Sequence, residues 1–455
     1  MKQVDFANGK IAQNIAQTAF PMLVAQMLNL LYSIVDRVYI GRIPHDGTTA
    51  LGAVGLCFPV IVLIGGFTNM FGMGGSPLFA MELGKKNKEK AEKIMNTSFR
   101  LLFLTGLTIM AAGELFSEPI LRLFGASDLT MRYALTYLRI YLLGTLFSMI
   151  TTGMNPFINA QGFPRIGMIS VVIGAVSNLI LDPFFIFTLK LGVNGAAIAT
   201  VISQFLSVLI VCWYLFGRKL ECRVFFRKEQ HIRDYVPYAG DIAALGTAPF
   251  IMQCTNSLVQ IACNNVLMCF GNELYVSIMT IVSSVRQILD TPVSAIVEGS
   301  SPILSYNYGA GRADRVRKTM AIMTSVSVLY TLLVWIAIEW KPDMFISIFS
   351  TDHTLQMDAV PALHIYFSAF VFQSLQYSGQ TVFKALNKKK QAIFFSIFRK
   401  IILVVPLTYL LPHIGKMGTD GVFMAEPISN LVGGILCFTT MLCTVLPELK
   451  RLECH

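Results

Sequence analysis

Residues 166–189 read IGMISVVIGAVSNLILDPFFIFTL, an apolar run with a single charge, Asp182. A run of this length supplies the ~20 residues of helix that a ~30 Å hydrocarbon core requires, so the segment is a membrane-spanning helix. A carboxylate that deep in a bilayer costs about 3 kcal/mol on insertion scales and is retained for a partner, an ion or a proton. Asn178 lies four residues before Asp182, which puts both side chains on one helix face. Pro183 lacks an N–H and frees a carbonyl one turn back that could ligate a cation. Simpler roles stay open: Asp182 could pair with an arginine or cap a helix broken by the proline.

The rest of the chain has the same character. Its 455 residues are 54% hydrophobic and 14% charged, against a charged share of about 25% in soluble domains. With a mean hydropathy of +0.62, it reads as a polytopic membrane protein. The formal charge of +10 would suit nucleic acid if the bases were dispersed, but they gather in alternate loops. The clusters are Lys85 to Lys93, Arg218 to Arg233, Arg312 to Lys318 and Lys384 to Lys390. By the positive-inside rule these loops are cytoplasmic, and no nucleic-acid partner is expected. The nine cysteines lie mostly in apolar runs without metal-ligand spacing, so neither disulfides nor a metal site is expected beyond a possible Na+. The first apolar run, Ala19 to Val35, has no charged leader or cleavage site and ends in Asp36-Arg37, so it is expected to stay as the first helix.

Counting apolar runs gives twelve helices, near 16–39, 51–76, 94–113, 131–155, 166–189, 193–216, 238–266, 275–300, 319–340, 356–383, 393–412 and 419–446. The expected architecture is all-α, with two six-helix lobes. These are 1–216 and 236–446, with a cytoplasmic linker at 217–235 and a cytoplasmic tail at 447–455. Both termini then face the cytoplasm of a plasma-membrane protein. The halves repeat. Gly74-Gly75-Ser76-Pro77 followed by Gly84 returns as Gly299-Ser300-Ser301-Pro302 followed by Gly309, at one common offset. Leu191-Gly192-Val193-Asn194-Gly195 returns as Met417-Gly418-Thr419-Asp420-Gly421, shifted by one residue more. Because six helices return the chain to its starting side, the lobes should be related by a pseudo-two-fold axis along the membrane normal, an arrangement of transporters. The glycine clusters also suit close helix packing, and Gly84 and Gly309 suit helix C-caps.

Several motifs together resemble the MATE (multidrug and toxic compound extrusion) family, in particular its MepA-like branch. They are Pro21 with Ser33-Ile34-Val35-Asp36-Arg37 and Gly41; Gly72-Met73-Gly74-Gly75-Ser76 through Leu83-Gly84; Ser177-Asn178 with Leu181-Asp182-Pro183; Gly195 to Thr200; and Pro302 to Ala310. The resemblance covers essentially the whole chain. It implies an antiporter, not an enzyme, that exports amphipathic and often cationic drugs against inward flow of protons or sodium. It needs no cofactor, and it is expected to act as a monomer in the bilayer. By position, Asp36, Asn178, Asp182 and Thr200 match the family's cation-binding cluster.

Helical rise supports that cluster independently. From the turn near Lys190, Asp182 and Thr200 lie about 12 and 15 Å down their helices, and Asp36 lies about 8 Å from the Gly41 end of the first helix. Shared burial and mutual repulsion of the two acids favour a neutral carboxyl, hence proton carriage. The same oxygens would also suit sodium. In the second half, Asn264 stands opposite Asp36, Val404 opposite Asn178, Thr408 opposite Asp182 and Glu426 opposite Thr200. That half carries Arg286, Asp290, Glu298, Arg399, Lys400 and Glu426 in its helices. Arg286 and Asp290, four apart, are expected to pair. Glu298 and Glu426 are candidates for a second coupling site. Asn29, Asn155, Gln373, Gln376 and Gln380 are candidates for a wet drug cavity, or for hydrogen bonding between helices. Some of the 22 Met and 33 Phe would line that cavity too. The nearest rival function, a flippase for a lipid-linked saccharide, would want a basic cavity, and the acids argue against it. A membrane enzyme has no support, because the six His are scattered and no nucleophile or phosphate-loop motif occurs.

Overall fold

The computed structural model describes residues 3–44, 47–217, 222–224, 235–349, 353–415 and 417–453. Among them there is no strand. The helices are α1 (Ile11–Gly41), α2 (Gly47–Gly84), α3 (Lys88–Leu123), α4 (Asp128–Ala160), α5 (Pro164–Pro183) with a π-helical end at Phe184–Thr188, and α6 (Val193–Leu215). The second half has α7 (Val236–Phe270), α8 (Glu273–Gly309), α9 (Ala313–Trp340), the short α10 (Pro342–Ile346), α11 (His353–Phe367) and α12 (Phe370–Ala385). It closes with α13 (Lys389–Ile397), a π stretch at Phe398–Val404, α14 (Val405–Leu410) and α15 (Thr419–Glu453). Of the expected linker at 217–235, residues 217, 222–224 and 235 are described and the rest lie outside the described residues.

Ten of these segments are long and apolar enough to cross a membrane, and α11 with α12, bent by 44°, makes an eleventh. α8 is 37 residues long and carries Arg286, Asp290 and Glu298; it completes the set of twelve. Most helices outrun the apolar windows that announced them, and side-chain caps mark where some of them begin. Asn87 caps α3 by accepting from Lys90 N, and Ser127 forms a capping box with Thr130 at the start of α4. α11 and α12 are separated at Ser368 and Ala369, where the Ser368 hydroxyl donates to Ile365 O at 2.8 Å.

The chain forms two compact units, Met1–Val4 with Val24–Phe250, and Asp5–Leu23 with Ile251–His455. α1 and α7 each pass from one unit to the other just beyond an internal proline, Pro21 and Pro249. The first unit is built around Phe79, Phe157, Met95, Leu102, Leu138 and Leu142. The second is built around Phe367, Phe370, Phe423, Ile338 and Leu363.

The sequence repeat is a repeat of backbone. α2 and α8 end at Gly84 and Gly309, and α3 and α9 begin at Lys88 and Ala313, at the offset of the glycine motifs. The spans 164–188 and 389–413 coincide at the same offset. Left-handed residues recur in step: Lys86 with Gly311, Gly162 with Asn387, Lys190 with Gly415, and Gly192 with Gly418. The first two pairs close Schellman motifs. Asn87 N donates to Glu82 O and Lys86 N to Leu83 O, as Arg312 N does to Asn307 O and Gly311 N to Tyr308 O. Gly84 and Gly309 are thus the last helical residues, and the left-handed position falls two residues later.

The glycines serve close packing. A Cβ on Gly74 would meet Ile242 O at 2.4 Å, and one on Gly246 would meet Met70 O at 1.8 Å, so α2 lies backbone to backbone against the opening of α7. A Cβ on Gly299 would meet Ala19 Cα at 2.8 Å, the equivalent approach of α8 to the opening of α1.

Candidate functional site

In the first unit, α5 presents Asn178 and Asp182 one turn apart, 2% and 0% exposed. Pro183 cannot donate, and the ladder shifts register there: Leu189 N reaches back five residues to Phe184 O at 3.0 Å. Such π turns favour functional sites because they re-aim neighbouring side chains. The chain then reverses through left-handed Lys190 and Gly192. α6 begins tightly against it, since a Cβ on Gly195 would lie 2.7 Å from Phe185 O. This returns Thr200 to the level of Asn178. Asn178 Nδ2 donates to Asp182 Oδ1 at 3.1 Å and to Thr200 Oγ1 at 3.4 Å. Thr200 spends its own hydrogen on Ala196 O.

Asp36, on the part of α1 that belongs to this unit, lies within electrostatic range of Asp182. Its neighbour Arg37 is turned over the Phe58 ring, 5.8 Å from the centroid. Asp36 Oδ1, Asn178 Oδ1 and Asp182 Oδ2 are buried and accept no hydrogen bond from the protein. Among the described residues, no arginine or lysine pairs with Asp182, whose Oδ1 is held by Asn178. The amide donor of Asn178 is already spent on Asp182 Oδ1 and Thr200, so these remaining acceptor oxygens call for a proton or a hard cation. Tyr32 and the stacked pair Tyr137 and Tyr141, centroids 6.1 Å apart, feel the charge of Asp36. Sequence reasoning missed these tyrosines. The only signal was the four-residue spacing of Tyr137 and Tyr141, which also suits ordinary packing.

The second unit carries buried ion pairs, whereas Asp36 and Asp182 of the first have no ion-pair partner among the described residues. Glu426 Oε1 receives Arg286 at 2.6 Å, Arg399 at 2.9 Å and Lys400 at 3.1 Å. Arg286 also bonds Asp290 through Nε at 3.2 Å and Tyr366 Oη through NH1 at 2.7 Å. Asp290 further accepts from Gln373 at 2.8 Å and from Tyr377 at 3.3 Å. Arg399 donates to Asn430 Oδ1 at 3.1 Å. Arg399 and Lys400 are consecutive residues, which a regular helix would splay by about 100°. They lie in the π stretch Phe398–Val404, and both reach Glu426. Asn264 accepts from Gln260, and Thr408 donates to Val404 O, so the counterparts of Asp36 and Asp182 are satisfied locally.

The remaining candidates are dispersed. Glu298 lies within electrostatic range of Lys384. Gln376 and Gln380 are buried with unpartnered Oε1 atoms, and Gln380 Nε2 donates to Ser396 at 3.3 Å. Asn155 bonds Ser170 at 3.3 Å within the first unit. Asn29 is exposed on α1.

Comparison with known proteins adds the following. A family model described as MatE matches residues 21–184 and 249–410. The chain is 25% identical to a protein named multidrug export protein MepA from Staphylococcus haemolyticus, over 95% of this chain and 93% of that one. It is 23% identical to a protein named FAD transporter from Shewanella oneidensis, over 94% of both chains. A solved structure described as the outward-facing conformation of a multidrug resistance MATE family transporter of the MOP superfamily superposes with a TM-score of 0.91. That pair is 22% identical and covers 100% of this chain and 99% of the other.

Proposed function

The chain belongs to the MatE family, a family of transporters and not of enzymes, and from that membership we propose that it is a cation-coupled multidrug efflux antiporter. It exports amphipathic and cationic organic compounds by alternating access, acting as a monomer in the plasma membrane with both termini cytoplasmic. The observation that carries the coupling is the set of buried, unpartnered oxygens on Asp36, Asn178 and Asp182. Protons are the first choice of ion, because two acids without bases in a buried site favour a shared proton. Sodium is the second, because carboxylate, amide and hydroxyl oxygens are the ligands a hard cation takes. The relatives named as multidrug export proteins support the substrate class. The polar candidates for drug contact are Asn29 and Asn155 in the first unit and Gln373, Gln376 and Gln380 in the second.

The test is accumulation of a fluorescent cationic dye in everted vesicles under separately imposed proton and sodium gradients. Uphill accumulation with a proton gradient alone is expected. Accumulation that responds to neither gradient would refute coupled antiport. In the same vesicles a unique cysteine at position 88, with the nine native cysteines replaced, should react with an impermeant maleimide, and reaction in right-side-out cells would reverse the assigned topology.

A further inference from the structure

The opening of α1 is held in the second unit by a grip on its backbone. Residues 5–23 belong to that unit, although Val4 before them and Val24 after them belong to the first. Val4 N donates to Gly162 O at 2.9 Å, within the first unit. The chain then turns on Asp5, whose Oδ1 accepts from Ala7 N and Asn8 N at 2.9 Å. The turn presents its carbonyls to the corner between α8 and α9. Arg315 donates through NH2 to Phe6 O at 3.1 Å and to Gly9 O at 2.7 Å. Arg312 donates to Ala7 O at 2.5 Å, and Asn307 Nδ2 to Phe6 O at 3.1 Å. Asn307 Oδ1 accepts from Arg315 Nε at 3.1 Å, which fixes the plane of the guanidinium. Phe6 is buried, with its ring 6.1 Å from that of Tyr306.

Two guanidinium groups are thus spent on neutral carbonyls, in charge-assisted bonds stronger than those between neutral partners. The fold does not demand this. At the repeat offset that pairs Gly84 with Gly309, Asn307, Arg312 and Arg315 answer to Glu82, Asn87 and Lys90. Those three close on one another. Glu82 Oε1 receives Lys85 at 2.9 Å and Lys90 at 3.2 Å, and the Asn87 side chain accepts from Lys90 N at 3.1 Å. The same turn can therefore be built on its own side chains, and the grip of the second unit is an addition to it.

Beyond Leu23 the same helix belongs to the first unit and carries Asp36 of the ion site. We propose that Arg315, with Asn307 and Arg312, is a positioning residue for coupling: by anchoring residues 6–9 it makes α1 the element through which the ion state of Asp36 acts on the second unit. Arg315 itself touches neither ion nor drug. Without the grip, packing such as that of Ala19 on Gly299 is left to hold residues 5–23, while Val4 and Val24 at their two ends stay with the first unit. α1 then follows the first unit, and drug crosses without keeping step with the ion. This rests on the export reading above and names a residue of its coupling step.

The test uses the full-length protein in proteoliposomes with ethidium, an organic cation. Two quantities are read: equilibration of the dye down its own gradient, and its steady-state accumulation with proton and sodium gradients imposed together. Arg315→Met keeps the side chain's length and removes its donors. It is expected to lower accumulation about fivefold or more, the lower end of an allosteric coupling, with equilibration within about twofold of wild type. Arg315→Lys, whose ammonium can still donate to the Phe6 and Gly9 carbonyls, should restore accumulation. Lys90→Met, at the matching corner of the first unit, should leave both quantities unchanged. Wild-type accumulation by Arg315→Met would overturn the proposal and leave export standing. A parallel loss of both quantities, not restored by lysine, would also overturn it, by making Arg315 a purely structural residue. An equal loss of accumulation in Lys90→Met would do the same, because that corner grips no part of α1. If Arg315→Met fails to insert, Arg312→Met, which cuts only the bonds to Ala7 and Asn8, is judged by the same two readings. A wild type that equilibrates the dye but never accumulates it would remove the coupled-export reading together with the proposal.

Discussion

Asp182 and Glu426 are both buried acids, yet their surroundings give them opposite roles. Glu426 is ringed by three bases, and deleting its charge would leave Arg286, Arg399 and Lys400 facing one another. Breaking a buried pair in this way costs about 3–5 kcal/mol. Glu426→Gln should therefore lower the melting temperature of the purified protein clearly, while Asp182→Asn, with no base to strand, should leave it unchanged. Equal melting temperatures in the two variants would contradict the assignment of a structural role to one and a functional role to the other. The sequence allowed the Asn178–Asp182 pair to be read from its four-residue spacing, and the level of Thr200 from its distance to the turn. The convergence of Arg286, Arg399 and Lys400 on one oxygen was not legible. It depends on two long consecutive side chains of the π stretch reaching one carboxylate, and on α8 and α15, distant in sequence, meeting them there.

At the scale of the element, glycine fixes how closely helices approach. The built Cβ of Gly246 falls 1.8 Å from Met70 O, a backbone atom that cannot rotate away. Gly246→Ala must push α2 and the opening of α7 apart. The expected loss is about 1–3 kcal/mol, the usual cost of overpacking, measured as a fall in melting temperature. Alanine at Gly55, where nothing lies within 4 Å, is the control that should show none. Helix number and the repeat could be read from apolar runs and paired glycine motifs, since both are local signals. The break at Ser368 and the π stretches could not, because a local bend and a ladder that slips one residue leave no compositional mark. Lys86 is a similar case: it occupies a left-handed position that its repeat partner fills with Gly311, and a sequence rule looks there for glycine or asparagine.

At the scale of the whole molecule, the duplication has produced two units with shared helix boundaries and different chemistry. The first keeps acids without basic partners among the described residues, and the second carries buried ion pairs. On this account the first unit takes up the driving ion, and Asp182 is the group on which uphill transport depends. The most direct measurement compares wild type and Asp182→Asn for export of a cationic dye under an imposed pH gradient, at matched expression. The substitution keeps the side chain's size and removes its titration. The variant should insert normally, bind the dye with unchanged affinity and let it equilibrate, yet fail to build a gradient against its concentration. Uphill export by Asp182→Asn at the wild-type rate would contradict the account.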